Sequence, residues 1–146
     1  MSVFVAGKDV YVGGSQSLGG KAVAKYWKNN VEVVLSDAFA GASIPQSIYV
    51  SGNDVFLCCN DYLNGKTKAV YWKNGTKLSV TDGTTESWAT SIEVFDGDIY
   101  ISGQDDTHGT SSPYAFKSAA VYWKNGSKIY LTDANNNSTA TGISIQ

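Results

Sequence analysis

An all-β chain built from three copies of one four-stranded unit is what this sequence predicts. Three observations point there. The tetrapeptide Tyr-Trp-Lys-Asn recurs, beginning at Tyr26, Tyr71 and Tyr122. A Ser-x-x-Val tetrapeptide precedes each copy, beginning at Ser2, Ser47 and Ser91. The spacing from Ser to Tyr is 24, 24 and 31 residues, and from Tyr to the next such position 21, 20 and 20, the last landing on Gly142. A period in the forties with its internal order kept is the mark of arrays and propellers. No segment carries an apolar period of 3.6 residues, so no helix is expected.

The second repeat shows the unit most clearly. Residues 47–51 alternate as a first strand, A, and Gly52-Asn53 is a two-residue hairpin signal. Strand B follows at 54–58, and the polar run 61–68 reads as a loop. Strand C is 69–72. Asn74-Gly75 closes the next hairpin, because a type I′ turn needs positive φ at both central residues. Strand D is 77–82. The third repeat follows the same plan: A at 91–95, the turn Asp96-Gly97, B at 98–102, C at 119–123, the turn Asn125-Gly126 and D at 128–133. In the first repeat Gly7-Lys8 and Asn29-Asn30 stand at the two turns.

Four short antiparallel strands per repeat of about 45 residues are the pattern of a propeller blade. The chain is therefore expected to be one repeat domain over 1–146, with blades at 2–46, 47–90 and 91–141. Residues 142–146 are a fourth copy of strand A. A three-unit trefoil barrel is the competing fold, and the surplus strand favours the propeller. Propeller rings hold about four to eight blades, and three would leave two open faces that invite association. Two copies closing a six-bladed ring is one expectation, and a piece of a longer protein is the other.

Composition narrows the function classes. The 146 residues carry a net charge of -2, which makes no electrostatic case for nucleic acid or an acidic membrane. No apolar run reaches the roughly 20 residues of a membrane helix, and no signal peptide is expected, which leaves the compartment open. Cys58 and Cys59 are adjacent and so face opposite sides of a strand; free thiols are expected rather than a disulfide. With one His in the chain, no metal-ligand spacing is present, and no cofactor is expected.

The run Ala-Val-Tyr-Trp-Lys-Asn-Gly at 69–75 and 120–126, with Leu-Thr-Asp at 131–133, resembles the YWKNG-type β-propeller repeats of bacterial proteins. The end of strand B and its Gly (Ile99-Tyr-Ile-Ser-Gly103) is similar to kelch-like blades. The resemblance covers nearly the whole chain. It implies the propeller fold and assigns no catalytic residue. Proteins with such repeats are mostly uncharacterised, commonly exported and longer than this chain.

Residues repeated in register read as structural. This holds for the three Tyr-Trp pairs, for Asp9, Asp54 and Asp98 after the A–B turn, and for Asp37, Asp82 and Asp133 at the end of strand D. The acidic side chains are expected to accept backbone N–H bonds at turns. Residues that break the repeat are the functional candidates. In an A-B-C-D meander the B–C and D–A connections share one rim, so the loops expected at 14–21, 60–68, 104–118, 38–46, 83–90 and 134–141 would cluster there. Function in scaffold folds usually sits on such loops. The insertion in the third repeat brings Asp105, Asp106, His108, Tyr114 and Phe116 to this rim, with Trp88 and Tyr62 on neighbouring loops. Aromatic faces flanked by acceptors suit carbohydrate, since rings stack on sugar C–H groups while fixed polar groups take the hydroxyls. The same aromatics would serve equally to bury a loop against its own blade. No nucleophile with a paired base is visible, so the expectation is a non-catalytic binding or interaction module whose partners are itself, a glycan or another protein. A purely structural self-assembling scaffold is the alternative. A hydrolase is more distant, because rim carboxylates would need partners about 5 to 10 Å away across a cleft.

Overall fold

A computed structural model describes residues 1–35, 41–106, 117–133 and 136–146. Among them are twelve strands and no helix. The first sheet comprises β1 (Ser2–Ala6), β2 (Asp9–Leu18), β3 (Lys21–Lys28) and β4 (Val31–Val34). The second comprises β5 (Ala42–Ser51), β6 (Asp54–Leu63), β7 (Lys66–Lys73) and β8 (Thr76–Ser79). The third comprises β9 (Ser87–Phe95), β10 (Asp98–Asp106), β11 (Ser118–Lys124) and β12 (Ser127–Tyr130). Each sheet is an antiparallel meander in chain order, one per repeat. The sheets pack in a propeller-like succession, first on second and second on third.

Two apolar layers hold the stack. Tyr11, Ala24 and Leu35 of the first sheet meet Ile48, Val55, Leu57 and Trp72 of the second. Phe56, Cys58, Ala69 and Val80 of the second meet Ile92, Ile101, Val121 and Trp123 of the third. Each sheet thus has a leading face, on the side of the sheet before it in chain order, and a trailing face on the opposite side; the second sheet has both faces packed. Strand side chains alternate between faces, so the adjacent Tyr and Trp of each motif serve different layers. Cys58 and Cys59 likewise lie in different layers, both free and fully buried. Burial pushes the Cys58 thiol up to about 12 and Cys59 well above its ordinary value.

All six predicted turns are present. Asn29-Asn30, Asn74-Gly75, Asp96-Gly97 and Asn125-Gly126 have positive φ at both positions, as a type I′ turn requires. The Lys-Asn half of the motif is a lock on this rim. The Asn74 Oδ1 accepts the Val55 N–H at 2.9 Å, and its Nδ2 donates to Asp54 at 2.7 Å. Lys73 pairs with the other Asp54 oxygen at 3.0 Å and lies over the Phe56 ring. The same set recurs around Asn29, Asp9, Lys28 and Tyr11, and around Asn125, Asp98, Lys124 and Tyr100. The expectation that Asp9, Asp54 and Asp98 cap backbone N–H groups is thereby corrected: the Asn accepts the N–H, and the Asp holds the Asn and the Lys. Asp82 does cap a turn, accepting the Thr84 N–H at 2.9 Å; Asp37 lies outside the described residues.

Two loop expectations also change. Residues 14–21 and 60–68 are not long loops. The strands run on to Leu18 and Leu63 and reverse through Gly19-Gly20 and Asn64-Gly65, all four with positive φ. The A strands of the second and third sheets start earlier as well, at Ala42 and Ser87. Residues 142–146 are not a strand. A strand needs a ladder partner, and among the described residues no fourth strand B stands beside them.

Candidate functional site

The rim where B meets C holds a cleft of 320 Å³ on the third sheet, lined by Glu86, Trp88, Gln104, Asp106, Ser118 and Asn137. Strand pairing builds its floor. Gln104 stands opposite Trp88 on one side and Ala120 on the other, and Asp106 stands opposite Ser118. The ladder shifts register between Ser102 and Gly103, which bends the strand and re-aims the side chains beyond. Gly103 permits that approach, since a Cβ there would lie 1.9 Å from the Trp88 carbonyl oxygen. The Asp106 N–H donates to the Glu86 carbonyl at 2.8 Å, fixing the connector to the strand end. The C-terminal segment forms the last wall. Asn137 Oδ1 accepts the Ser118 N–H at 3.2 Å, and the Thr139 hydroxyl bonds Gln104.

Of the rim residues singled out in the sequence, the cleft brings together Trp88 and Asp106. Trp88 is half-buried and lines the cleft. Asp105 faces away, as alternation along β10 requires. It is fully buried, paired with Lys128, and accepts a hydrogen bond from the Thr85 hydroxyl at 2.8 Å. Burial pulls the Lys128 pKa down, but the Asp105 carboxylate outweighs it and the net value is raised. Tyr62 occupies the repeat position of Asp106 on the second sheet, is exposed, and does not line the cleft. His108, Tyr114 and Phe116 lie outside the described residues.

A second cleft, of 360 Å³, lies on the second sheet and is lined by Asp61, Lys66, Lys68, Lys77 and neighbours without an aromatic ring. Asp61 there repeats the Asp105 arrangement, pairing with Lys77 and accepting from the Ser43 hydroxyl at 2.6 Å. Among the described residues no group of three His, Cys, Asp or Glu side chains is placed to hold a metal ion.

Sequence reasoning passed over Glu86, Asn137 and a third repeated motif. The connector serines Ser43, Ser87 and Ser138 each stand four residues before a Ser2-type position. Ser87 is buried, accepting the Ala69 N–H at 3.1 Å and bonding Thr81 at 2.9 Å. Ser138 repeats this on the third sheet, with the Ala120 N–H at 3.1 Å and Thr132 at 2.5 Å. The period of this Ser was readable, and at Ser87 and Ser138 it marks where the connector is pinned to the sheet it leaves. No family model, curated protein or solved structure matches the chain.

Proposed function

We propose that this chain is a non-catalytic β-propeller segment of three blades that acts as a binding module, taking a polar ligand of the carbohydrate class in the cleft around Trp88. The carrying observation is the half-buried indole of Trp88 set among Glu86, Gln104, Asp106 and Asn137. One ring face with several fixed acceptors and donors is the chemistry that holds a pyranose. The cleft is at the small end for ligand sites, which are about 300–1,000 Å³, and suits one or two sugar rings. The non-catalytic reading is supported by Asp105 being sealed against Lys128 and by Ser87 being fully buried. A glycan array with the purified chain tests the proposal. Binding that Trp88→Ala removes supports it, and the absence of any binder sinks it. Turnover of a bound glycan by the wild type and not by Asp106→Asn would replace it with a hydrolase, since Glu86 and Asp106 share the cleft.

A second reading is favoured by a different observation: Val3 and Val5, on the leading face of the first sheet, are exposed. On this reading the chain self-assembles, two copies completing a six-bladed ring, and the assembly is its role. The native mass in solution tests it.

A further inference from the structure

We infer that the leading face of the first sheet docks on the trailing face of the third sheet of a second copy, with β1 taking the place that residues 142–146 hold in the single chain. The inference rests on the self-assembly reading and specifies its surface.

The repeat itself supplies the template. Val3 and Val5 are 63% and 62% exposed, while their counterparts Ile48 and Val50 are 3% and 7%, and Ile92 and Val94 are 1% and 9%. Trp27 is half-buried where Trp72 and Trp123 are buried. On the other side, Leu131 is 57% exposed, whereas its counterparts Leu35 and Val80 are 9% and 5%. The single chain therefore leaves open the β1 side of one leading face and, at Leu131, part of one trailing face. Two junctions within the chain already show how such faces fit. The charges of the leading face are neutralised locally, Lys25 pairing with Glu32 at 2.8 Å and donating to Gln16 at 2.5 Å. With that charge paired, the face offers Val3 and Val5 to an apolar partner.

The C-terminal segment marks the seat. Asn60 on the second sheet holds Ala89, and the Gly103 carbonyl on the third accepts the N–H of Ala140, the counterpart of Ala89, at 3.1 Å. The Thr90 hydroxyl donates to the Ala140 carbonyl at 2.6 Å. Residues 138–141 thus lie on the third sheet as the start of a further A strand. Residues 142–146 go on over the positions that a following strand would fill, with Ile143 and Ile145 half-buried and the Ile145 N–H on Glu93 at 2.8 Å.

β1 is the shorter A strand, five residues against ten in β5 and nine in β9. What it lacks is the stretch that residues 138–141 already lay down on the third sheet. β5 breaks its register between Pro45 and Ser47, and β9 is interrupted at the matching place, opposite Ser102 and Gly103. A strand assembled from residues 138–141 of one copy and β1 of the next is therefore divided where the ladder is interrupted anyway. β1 comes to the remainder as a strand already paired over its whole length with β2, which residues 142–146 are not. Ser2 Oγ accepts the Ile48 N–H at 3.3 Å. At the proposed junction Ser91 holds the position of Ser2, opposite the incoming Val3. Two copies make six blades, within the range of about four to eight that rings adopt, while one copy is below it and three are above.

Light scattering on the wild type, on Val5→Asp, on Leu131→Asp and on a chain truncated after Thr141 tests this, with circular dichroism confirming that each is folded. The expected results are a wild-type mass of twice 15.6 kDa, a monomer for each substitution, and a dimer for the truncated chain that persists to lower concentration. Mixing Val5→Asp with Leu131→Asp restores a dimer through the one intact junction, which a face-to-itself contact cannot do. A dimer untouched by either substitution overturns this surface while leaving self-assembly standing. A monomer for both the wild type and the truncated chain at every concentration overturns both.

Discussion

Asn60 on β6 pairs with the backbone of Ala89 on β9 as a neighbouring strand would, accepting its N–H at 2.8 Å and donating to its carbonyl at 3.1 Å. One side-chain amide satisfies both backbone groups where the third sheet crosses the second, one residue beyond Trp88 on β9.

Removing that amide leaves a buried N–H and a buried carbonyl unmatched. Asn60→Ala is expected to lower stability by about 1–3 kcal/mol, the range for stranding buried polar groups. Asn60→Asp keeps the acceptor and loses the donor, so it should fall between. Urea unfolding checks this, through the midpoint at an unchanged m-value.

The rim locks predict an acid response. The Lys28 ammonium and then Asn29 hold Asp9 below its ordinary value of 3.8. For Asp54 the larger cause is Asn74, followed by Lys73; for Asp98 it is Lys124, followed by Asn125. A carboxylate whose folded pKa is depressed favours folding while ionised. Its contribution is full above the unfolded value of about 3.9 and is lost as pH falls through the lowered folded values. The chain should hold constant rim stability from neutral pH down to about 4 and lose it below. The variant with Asn at positions 9, 54 and 98 should be less stable at neutral pH and show a flatter decline in acid. Equal acid slopes for the two proteins would mean the rim carboxylates do not carry the effect.

The first-sheet turn carries a correctable weakness. Asn30 takes φ 67 where the other two repeats place Gly75 and Gly126. Left-handed backbone is strained for a residue with a Cβ, at roughly 1–2 kcal/mol for most side chains and less for Asn. Asn30→Gly is expected to raise stability by up to about 1 kcal/mol, and thermal unfolding at fixed pH measures it.

The turns and strand order were legible because the signals lie within a few residues of each other: Asn-Gly between alternating runs leaves one reading. Asn64-Gly65 carried the same signal and was obscured by its surroundings. Asp61, Lys66 and Lys68 are polar strand residues, and a polar run reads as loop unless their partners are known. Asp61 finds Lys77 and Ser43 only after the sheet has formed. The cleft was less legible still. Trp88 and Asp106 stood out as breaks in the repeat, but Glu86 and Asn137 reach the same place through two different connectors. Asp105 and Asp106 looked alike in sequence and both are buried, but the period of two along β10 sends one to Lys128 and the other to the face that carries the cleft.

The three motif tryptophans make one further test, since identical residues in the repeat meet different surroundings. Trp123 and Trp72 are buried, and neither indole N–H has a hydrogen-bond partner. Their contribution is therefore packing, and truncation leaves a large hole. Trp123→Ala is expected to lose about 3–5 kcal/mol. Trp123→Phe should lose much less, because it keeps a ring in place and removes a buried donor that has no acceptor. Trp27 stands on the uncovered leading face, so Trp27→Ala should lose clearly less than Trp123→Ala in a folded monomer. In a self-assembled wild type the ranking narrows, because Trp27 then gains the cover that Trp72 and Trp123 already have. Unfolding midpoints for Trp27→Ala measured at low and high protein concentration separate the two cases: a deficit that grows with concentration places Trp27 in a junction between copies, and a constant deficit places it on a surface that stays open.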